Sequence, residues 1–178
     1  MISDMIDADA RTLDEMVAEL NREAMRHRAA RDRYHQQAAV LAEKRNSLQE
    51  KARNLIAEAN AVKQTREGYN ASAREAKEKR EEWNDKVALA RERGDYEGMA
   101  EAKAQSQNCH QRVVKFSESG QVAHEKMLQL RADADKLRDE AQGFHEKFLD
   151  CKRAADLEHE RYIQAIKEIE KVRDNLPD

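Results

Sequence analysis

The segment Gly94-Asp95-Tyr96-Glu97-Gly98 decides the fold, because the residues on its two sides mirror each other about it. Before this segment large residues recur every seven positions, and after it a second seven-residue series follows. Opposite members of the two series, such as Leu48 with Phe144 and Trp83 with Cys109, have residue numbers that add to 192. A constant sum is expected when two segments run antiparallel. The sequence therefore predicts one reversal of the chain at residues 94–98.

The composition favours long helices. Of the 178 residues, 39% are charged and 4% are aromatic, and there is one proline. Apolar residues keep three- and four-residue spacing on both sides of the reversal, which is typical of a left-handed coiled coil. We predict an all-α fold, a single long antiparallel two-helix coiled-coil hairpin. Its parts are a lead-in over 1–11, a first helix over 12–93 that starts with a Thr12–Glu15 capping box, a turn over 94–98, and a second helix over 99–176 that Pro177 terminates.

A second set of core positions, whose residue numbers add to 193, falls into two kinds of layer. In one kind a small residue faces a small residue, as in Ala38 opposite Ala155. In the other kind an arginine faces a larger residue, so that its stem packs on the partner and its guanidinium reaches the edge. A cation–π contact is expected where the partner is aromatic. The arginine layers are Arg31 with Tyr162, Arg45 with Phe148, Arg66 with Met127 and Arg80 with Val113.

Histidines recur beside the arginine layers. The arginines and the histidines both follow steps of 14, 21 and 14 residues, in mirror order along the chain. Residue numbers that add to 194 place these histidines opposite His35, Gln49, Asn70 and Asn84. Polar groups at defined core positions fix the register of a coiled coil. We therefore predict eight register residues, namely Arg31, Arg45, Arg66, Arg80, His110, His124, His145 and His159.

The sequence contains no phosphate-binding loop, nucleophile elbow, zinc knuckle or dinucleotide fingerprint. We accordingly predict that the protein is not an enzyme and has no cofactor. His35, Glu158 and His159 are residue types that bind metals, but a role as polar spacers along the core explains them better, so no metal site is predicted. No apolar run approaches the length of a membrane span, and no signal-peptide pattern starts the chain. Two cysteines in a chain without a secretion signal suggest a reducing compartment, so we predict a cytoplasmic protein.

Local basic stretches stand out against the net charge of -3. One lies near the open end of the predicted hairpin and one near its turn. Such stretches are either solvated helix faces or sites that bind RNA phosphates. The candidate RNA or ribosome contacts are Arg22, Arg26, Arg28, Arg33, Lys103, Arg112 and Lys115.

Repeats on both sides of the reversal carry a family resemblance. They are Lys44–Lys51, Lys79–Lys86, Ala123–Met127 and Phe144–Phe148. Together with the histidine spacing, they make residues 31–165 resemble the archaeal coiled-coil proteins related to the fungal nuclear-segregation (brefeldin-resistance) protein. For the fungal relatives the resemblance implies association with polyribosomes and messenger RNA–protein particles. Some archaeal members are described as phosphatases, but we do not predict that activity here, because the chain has no phosphatase motif.

Two functions remain open from the sequence. The first is a non-catalytic hairpin that associates with the ribosome, or with ribosomal or messenger RNA, in translation control or ribosome storage. The second is a structural spacer or protein–protein adaptor that makes no contact with RNA. We expect a monomeric hairpin or a weak homodimer.

Overall fold

The computed structural model shows an all-α chain of two long helices that pack against each other. Helix α1 spans Ile2–Arg93 and helix α2 spans Tyr96–Asp174. The structure describes the backbone of residues 2–175 and the side chains of residues 11–175. The predicted helical hairpin is confirmed. Its residues form two compact units, which we call the terminal unit (residues 1–49 and 139–178) and the turn unit (residues 50–138).

The turn needs only two residues between the helices. Gly94 has a φ of 70°, and its N–H bonds the carbonyl of Arg91, while the Asp95 N–H bonds the carbonyl of Ala90. This pair of bonds is the Schellman end of a helix, in which glycine adopts the left-handed conformation at low cost. Asp95 then caps α2, because its Oδ1 accepts a bond of 2.9 Å from the Gly98 N–H.

The second glycine of the segment therefore belongs to α2 and not to the turn. A Cβ at Gly98 would collide with the carboxylate of Asp95, so a side chain there would displace the cap. The turn is consequently shorter than the predicted 94–98 segment, and α2 starts at Tyr96 instead of residue 99.

The other helix ends also differ from the expected bounds. Helix α1 begins at Ile2, so residues 2–11 continue the helix where a loose lead-in was predicted. Thr12 and Glu15 match a capping box in sequence but lie inside α1. A local signal of this kind does not start a helix when the preceding residues, here without glycine or proline, are themselves helical. Helix α2 ends at Asp174, and the predicted stop at Pro177 lies outside the described residues.

Alanine dominates the core. Among the side chains of residues 11–175, eleven of the fourteen buried hydrophobic residues are alanines, and the others are Cys109, Met127 and Ile169. Both members of the predicted small layer Ala38–Ala155 are buried, with 4% and 0% of their surface exposed. Small residues at these positions allow two helix backbones to approach closely. The larger core residues, such as Leu48 and Phe144, are half-buried along the edges of this narrow core.

No helix within the described part of the chain combines the length and apolar character needed to cross a membrane.

Candidate functional site

The four arginines of the predicted layers each bond one of the four predicted histidines across the hairpin. In every case the arginine Nη1 lies within hydrogen-bonding distance of the histidine Nδ1. In the terminal unit these distances are 3.0 Å for Arg31–His159 and 2.8 Å for Arg45–His145. In the turn unit they are 2.7 Å for Arg66–His124 and 2.9 Å for Arg80–His110. The structure thus joins all eight predicted register residues into four interhelical pairs.

The arginine layers of the terminal unit also show how each guanidinium is held. Arg31 lies over the ring of Tyr162 at 5.8 Å, and Arg45 lies over the ring of Phe148 at 5.1 Å, so both predicted cation–π contacts are confirmed. The Nε of each arginine donates to the next side chain, Asp32 or Asn46, at 3.1 Å. The guanidinium is therefore fixed on three sides, by the ring, by the neighbouring side chain and by the histidine.

The partners of the histidines differ from those expected. The sum of 194 predicted His145 opposite Gln49 and His110 opposite Asn84, but both histidines bond an arginine one helical turn earlier on α1. Asn84 instead accepts a bond of 2.5 Å from Ser106. Similarly, Asn70 lies beside Gly120, where an added Cβ would stand 2.8 Å from its Oδ1. The long arginine side chain spans one turn of helix, so it reaches a histidine that its Cα does not face.

A fifth histidine forms a different kind of layer in the terminal unit. His27 Nδ1 lies 2.5 Å from Glu158 Oε2, and their side chains are 22% and 15% exposed. His27 Nε2 also lies 3.6 Å from Glu23, and Arg161 bonds the other oxygen of Glu158 at 3.2 Å. The bond from His27 lowers the pKa of Glu158, with further help from the positive charges of His27 and Arg161 against partial desolvation.

The His27–Glu158 pair was not predicted. In the sequence both residues have core spacing, since His27 lies three residues after Ala24 and Glu158 lies three residues after Ala155. A carboxylate at a half-buried position requires a partner, and this requirement was the signal that pointed to the histidine across the hairpin.

Metal binding finds no ready site in the described residues. They contain no group of three or more His, Cys, Asp and Glu side chains placed to hold an ion. Glu158 is engaged with His27 and Arg161, while His159 accepts from Arg31.

The seven candidate RNA contacts lie on exposed positions of the two helices. The terminal unit holds Arg22, Arg26, Arg28 and Arg33, all on α1, and the turn unit holds Lys103, Arg112 and Lys115, all on α2. Among the described residues none of the seven forms an ion pair. By contrast, bases such as Lys79, Arg138 and Arg153 pair with an acid on their own helix.

The acids within the arginine-rich segment have other partners. Residues 20–40 contain five arginines and two acids, Glu23 and Asp32. Glu23 pairs with His27, and Asp32 accepts two bonds from Arg31. The positive charge of the other arginines in this segment is therefore not neutralised locally.

Three of these arginines share one face of α1. At about 100° per residue, Arg22, Arg26 and Arg33 lie within an arc of about 40° and span roughly 16 Å along the helix axis. Arg28 points about 120° away from Arg22. We call Arg22, Arg26 and Arg33 the arginine stripe. Ala29, which lies between Arg26 and Arg33 on the same face, carries no charge, and neither does Gln37, one turn beyond Arg33.

Comparison with known proteins identifies one family model. It is described as a family of unknown function (DUF7121) and matches residues 92–177, just under half of the 178-residue chain. The match covers the turn and α2, including all four histidines of the layers, and leaves the arginine stripe outside. No curated protein and no solved structure matches the chain.

Proposed function

We propose that this protein is a non-catalytic, cytoplasmic helical hairpin that attaches to the ribosome or to a related RNA–protein particle by binding RNA phosphates. The observation that carries the proposal is the arginine stripe, in which three exposed guanidinium groups share one face and have no carboxylate partner among the described residues. Arginine suits this task because its planar fork can bond a phosphate with two parallel N–H donors.

RNA binding by this protein depends on the local charge of the stripe and not on the net charge of the chain. The net charge is -3, so the protein as a whole has no long-range attraction for nucleic acid. Unpaired cations that remain exposed on one helix face are nevertheless able to displace counterions from a phosphate backbone. The resemblance of residues 31–165 to archaeal coiled-coil proteins, for whose fungal relatives it implies association with polyribosomes, supports the same choice. A role in translation control or ribosome storage follows as part of the proposal.

A second candidate is a protein–protein adaptor, and it is favoured by exposed apolar residues in the turn unit. Val122 is 66% exposed and lies in an open groove with Val62, Tyr69 and Ala123. An adaptor of this kind would bind protein partners without touching RNA, so its attachment to a particle would survive ribonuclease.

Sedimentation separates the two candidates. Lysate containing the tagged protein would be spun through sucrose with and without ribonuclease treatment. We expect the wild type to move with ribosomal fractions and to return to the top of the gradient after ribonuclease. Sedimentation that ribonuclease leaves unchanged would contradict RNA attachment and favour the adaptor.

Two charge-reversal variants, one in the stripe and one as a control, then test the stripe itself. Arg22→Glu, Arg26→Glu and Arg33→Glu together should abolish co-sedimentation, and the measured salt slope of RNA binding should fall by about 2–3, because three phosphate contacts are lost. The matched control reverses three exposed α1 bases of the turn unit that have no ion pair, Lys51, Lys63 and Arg74. Equal loss in the stripe variant and the control, with helical content intact in both, would show that the stripe is not the contact.

A further inference from the structure

The four arginine–histidine pairs define the protonation state of their histidines. A guanidinium has only donors, so each histidine Nδ1 must accept the bond from Nη1. An imidazole that accepts at Nδ1 carries its proton on Nε2 and is neutral. The same geometry occurs in all four pairs, with distances between 2.7 and 3.0 Å.

The described surroundings of these histidines provide no carboxylate partner, and the ring centroids of Phe148 and Tyr162 lie 6.0 Å and 6.3 Å from those of His145 and His159. On α1 the group bonded to each imidazole is the cationic arginine. The nearest acids along α1, Asp32, Glu67 and Glu81, directly follow arginines of the layers. On α2 the residues three and four positions away from the histidines are uncharged except Asp156, near His159. Within the described residues no carboxylate lies within 4.0 Å of any of the four imidazoles.

His27 is arranged in the opposite way. It has two carboxylates within ion-pair distance, Glu158 at 2.5 Å and Glu23 at 3.6 Å. Protonation strengthens this pair, because an imidazolium donates to both acids. Protonation of a histidine in the arginine layers would instead place two donors and two positive charges face to face.

We propose that the arginine–histidine layers are acid-sensitive links between the two helices of the hairpin. At neutral pH the four bonds join α1 to α2, two in each unit. Protonation of a layer imidazole removes the acceptor at Nδ1 and breaks its bond to the arginine, whereas the His27–Glu158 pair keeps both its donor and its acceptor. Because the four bonds form only with neutral imidazoles, we expect the hairpin to be less stable in acid than at neutral pH. The device is independent of RNA binding.

Nitrogen-15 NMR of the wild type tests the protonation state directly. At pH 7.5 the spectra should show four histidines with an unprotonated Nδ1 and a proton on Nε2, assigned by substitution of each histidine in turn. Assignment of these signals to His110, His124, His145 and His159 supports the proposal. A proton on Nδ1 in these residues would overturn it.

Thermal melting from pH 8 to pH 5 tests the consequence. In the reference variant all four layer histidines become glutamine, which still accepts a bond from arginine but does not titrate. For a chain of this size each tenfold loss in the folding constant lowers the melting temperature by roughly 3–6 °C. We expect acidification to lower the melting temperature of the wild type by about 5 °C or more beyond any change in the reference variant.

A second variant, His35→Gln, removes an exposed histidine outside the layers and should keep the pH dependence of the wild type. Identical pH dependence in the wild type and the four-glutamine variant would overturn the proposal. Loss of the effect in His35→Gln would overturn it as well. If the four-glutamine variant does not fold, the NMR result on the wild type decides.

Discussion

Replacement of Arg45 and Arg66 by leucine tests what the arginine layers contribute. Each substitution removes one interhelical bond, from Arg45 to His145 at 2.8 Å or from Arg66 to His124 at 2.7 Å. The first also removes the cation–π contact with Phe148. Both arginines are half-buried, so leucine can fill the same core position.

The free energy lost with the arginine contacts and the free energy gained by burying leucine nearly cancel. A hydrogen bond from a charged donor contributes about 1.5 kcal/mol when its partner is partly exposed, and the exposed cation–π contact adds about 0.5–1 kcal/mol. Burial of a leucine side chain offers about 1.5–3 kcal/mol, of which a half-buried site recovers about half, and the helix propensities of arginine and leucine are similar. The histidine left behind is half-exposed and can bond water. We expect each substitution to change the free energy of unfolding by about 1 kcal/mol or less.

The specificity of pairing should change more than the stability. Loss of polar groups from defined core positions permits slipped and intermolecular pairings. Urea unfolding followed by circular dichroism measures stability, and light scattering after size exclusion measures oligomers. The double variant should retain nearly wild-type stability and form additional oligomeric species. A loss of more than about 3 kcal/mol, with a single species remaining, would refute this reasoning.

Three further predictions concern individual residues. His27 lowers the pKa of Glu158, so the Glu158 carboxylate stabilises the fold above the ordinary carboxyl range, and this stabilisation is lost as the pH falls below about 4. The melting temperature of the wild type should therefore fall more steeply than that of Glu158→Gln between pH 6 and pH 2.5. Gly68→Ala and Gly143→Ala should each raise the free energy of unfolding by about 1 kcal/mol in urea titrations, because an added Cβ meets open space on a helix. Gly94→Ala and Gly98→Ala should each lower it by about 1–2 kcal/mol, the first through its positive φ and the second through displacement of the Asp95 cap.

Much of the fold could be predicted from the sequence because the heptad pattern is long and regular. The mirror arrangement located the turn, and the register placed Arg31 against Tyr162 and Arg45 against Phe148, as the structure shows. The histidine partners could not be derived in the same way. Position sums treat each side chain as a point at its Cα, whereas an arginine reaches a full helical turn along its neighbour.

The start of α1 and the candidate site show two other limits. The capping-box pattern at Thr12 is a local signal, and the preceding residues carry the helix past it to Ile2. The arginine stripe was recognised as a basic cluster, but its unpaired state depends on Glu23 and Asp32 bonding His27 and Arg31. Such competition between neighbouring charges depends on side-chain geometry, which residue spacing alone does not provide.

Disulfide formation between Leu48→Cys and Phe144→Cys tests the hairpin most directly. These two residues line the same groove of the terminal unit, so their cysteines should be close enough to bond within one chain. The experiment uses a chain in which Cys109 and Cys151 are replaced by serine, at low protein concentration and under mild oxidation. The comparison pair, Leu41→Cys with Phe144→Cys, lies within the same unit and is displaced by one heptad, roughly 10 Å along α1. We expect rapid cross-linking of the first pair within single chains and little cross-linking of the second. A cross-link that forms only between two chains, or equally well in the displaced pair, would contradict the antiparallel hairpin with this register.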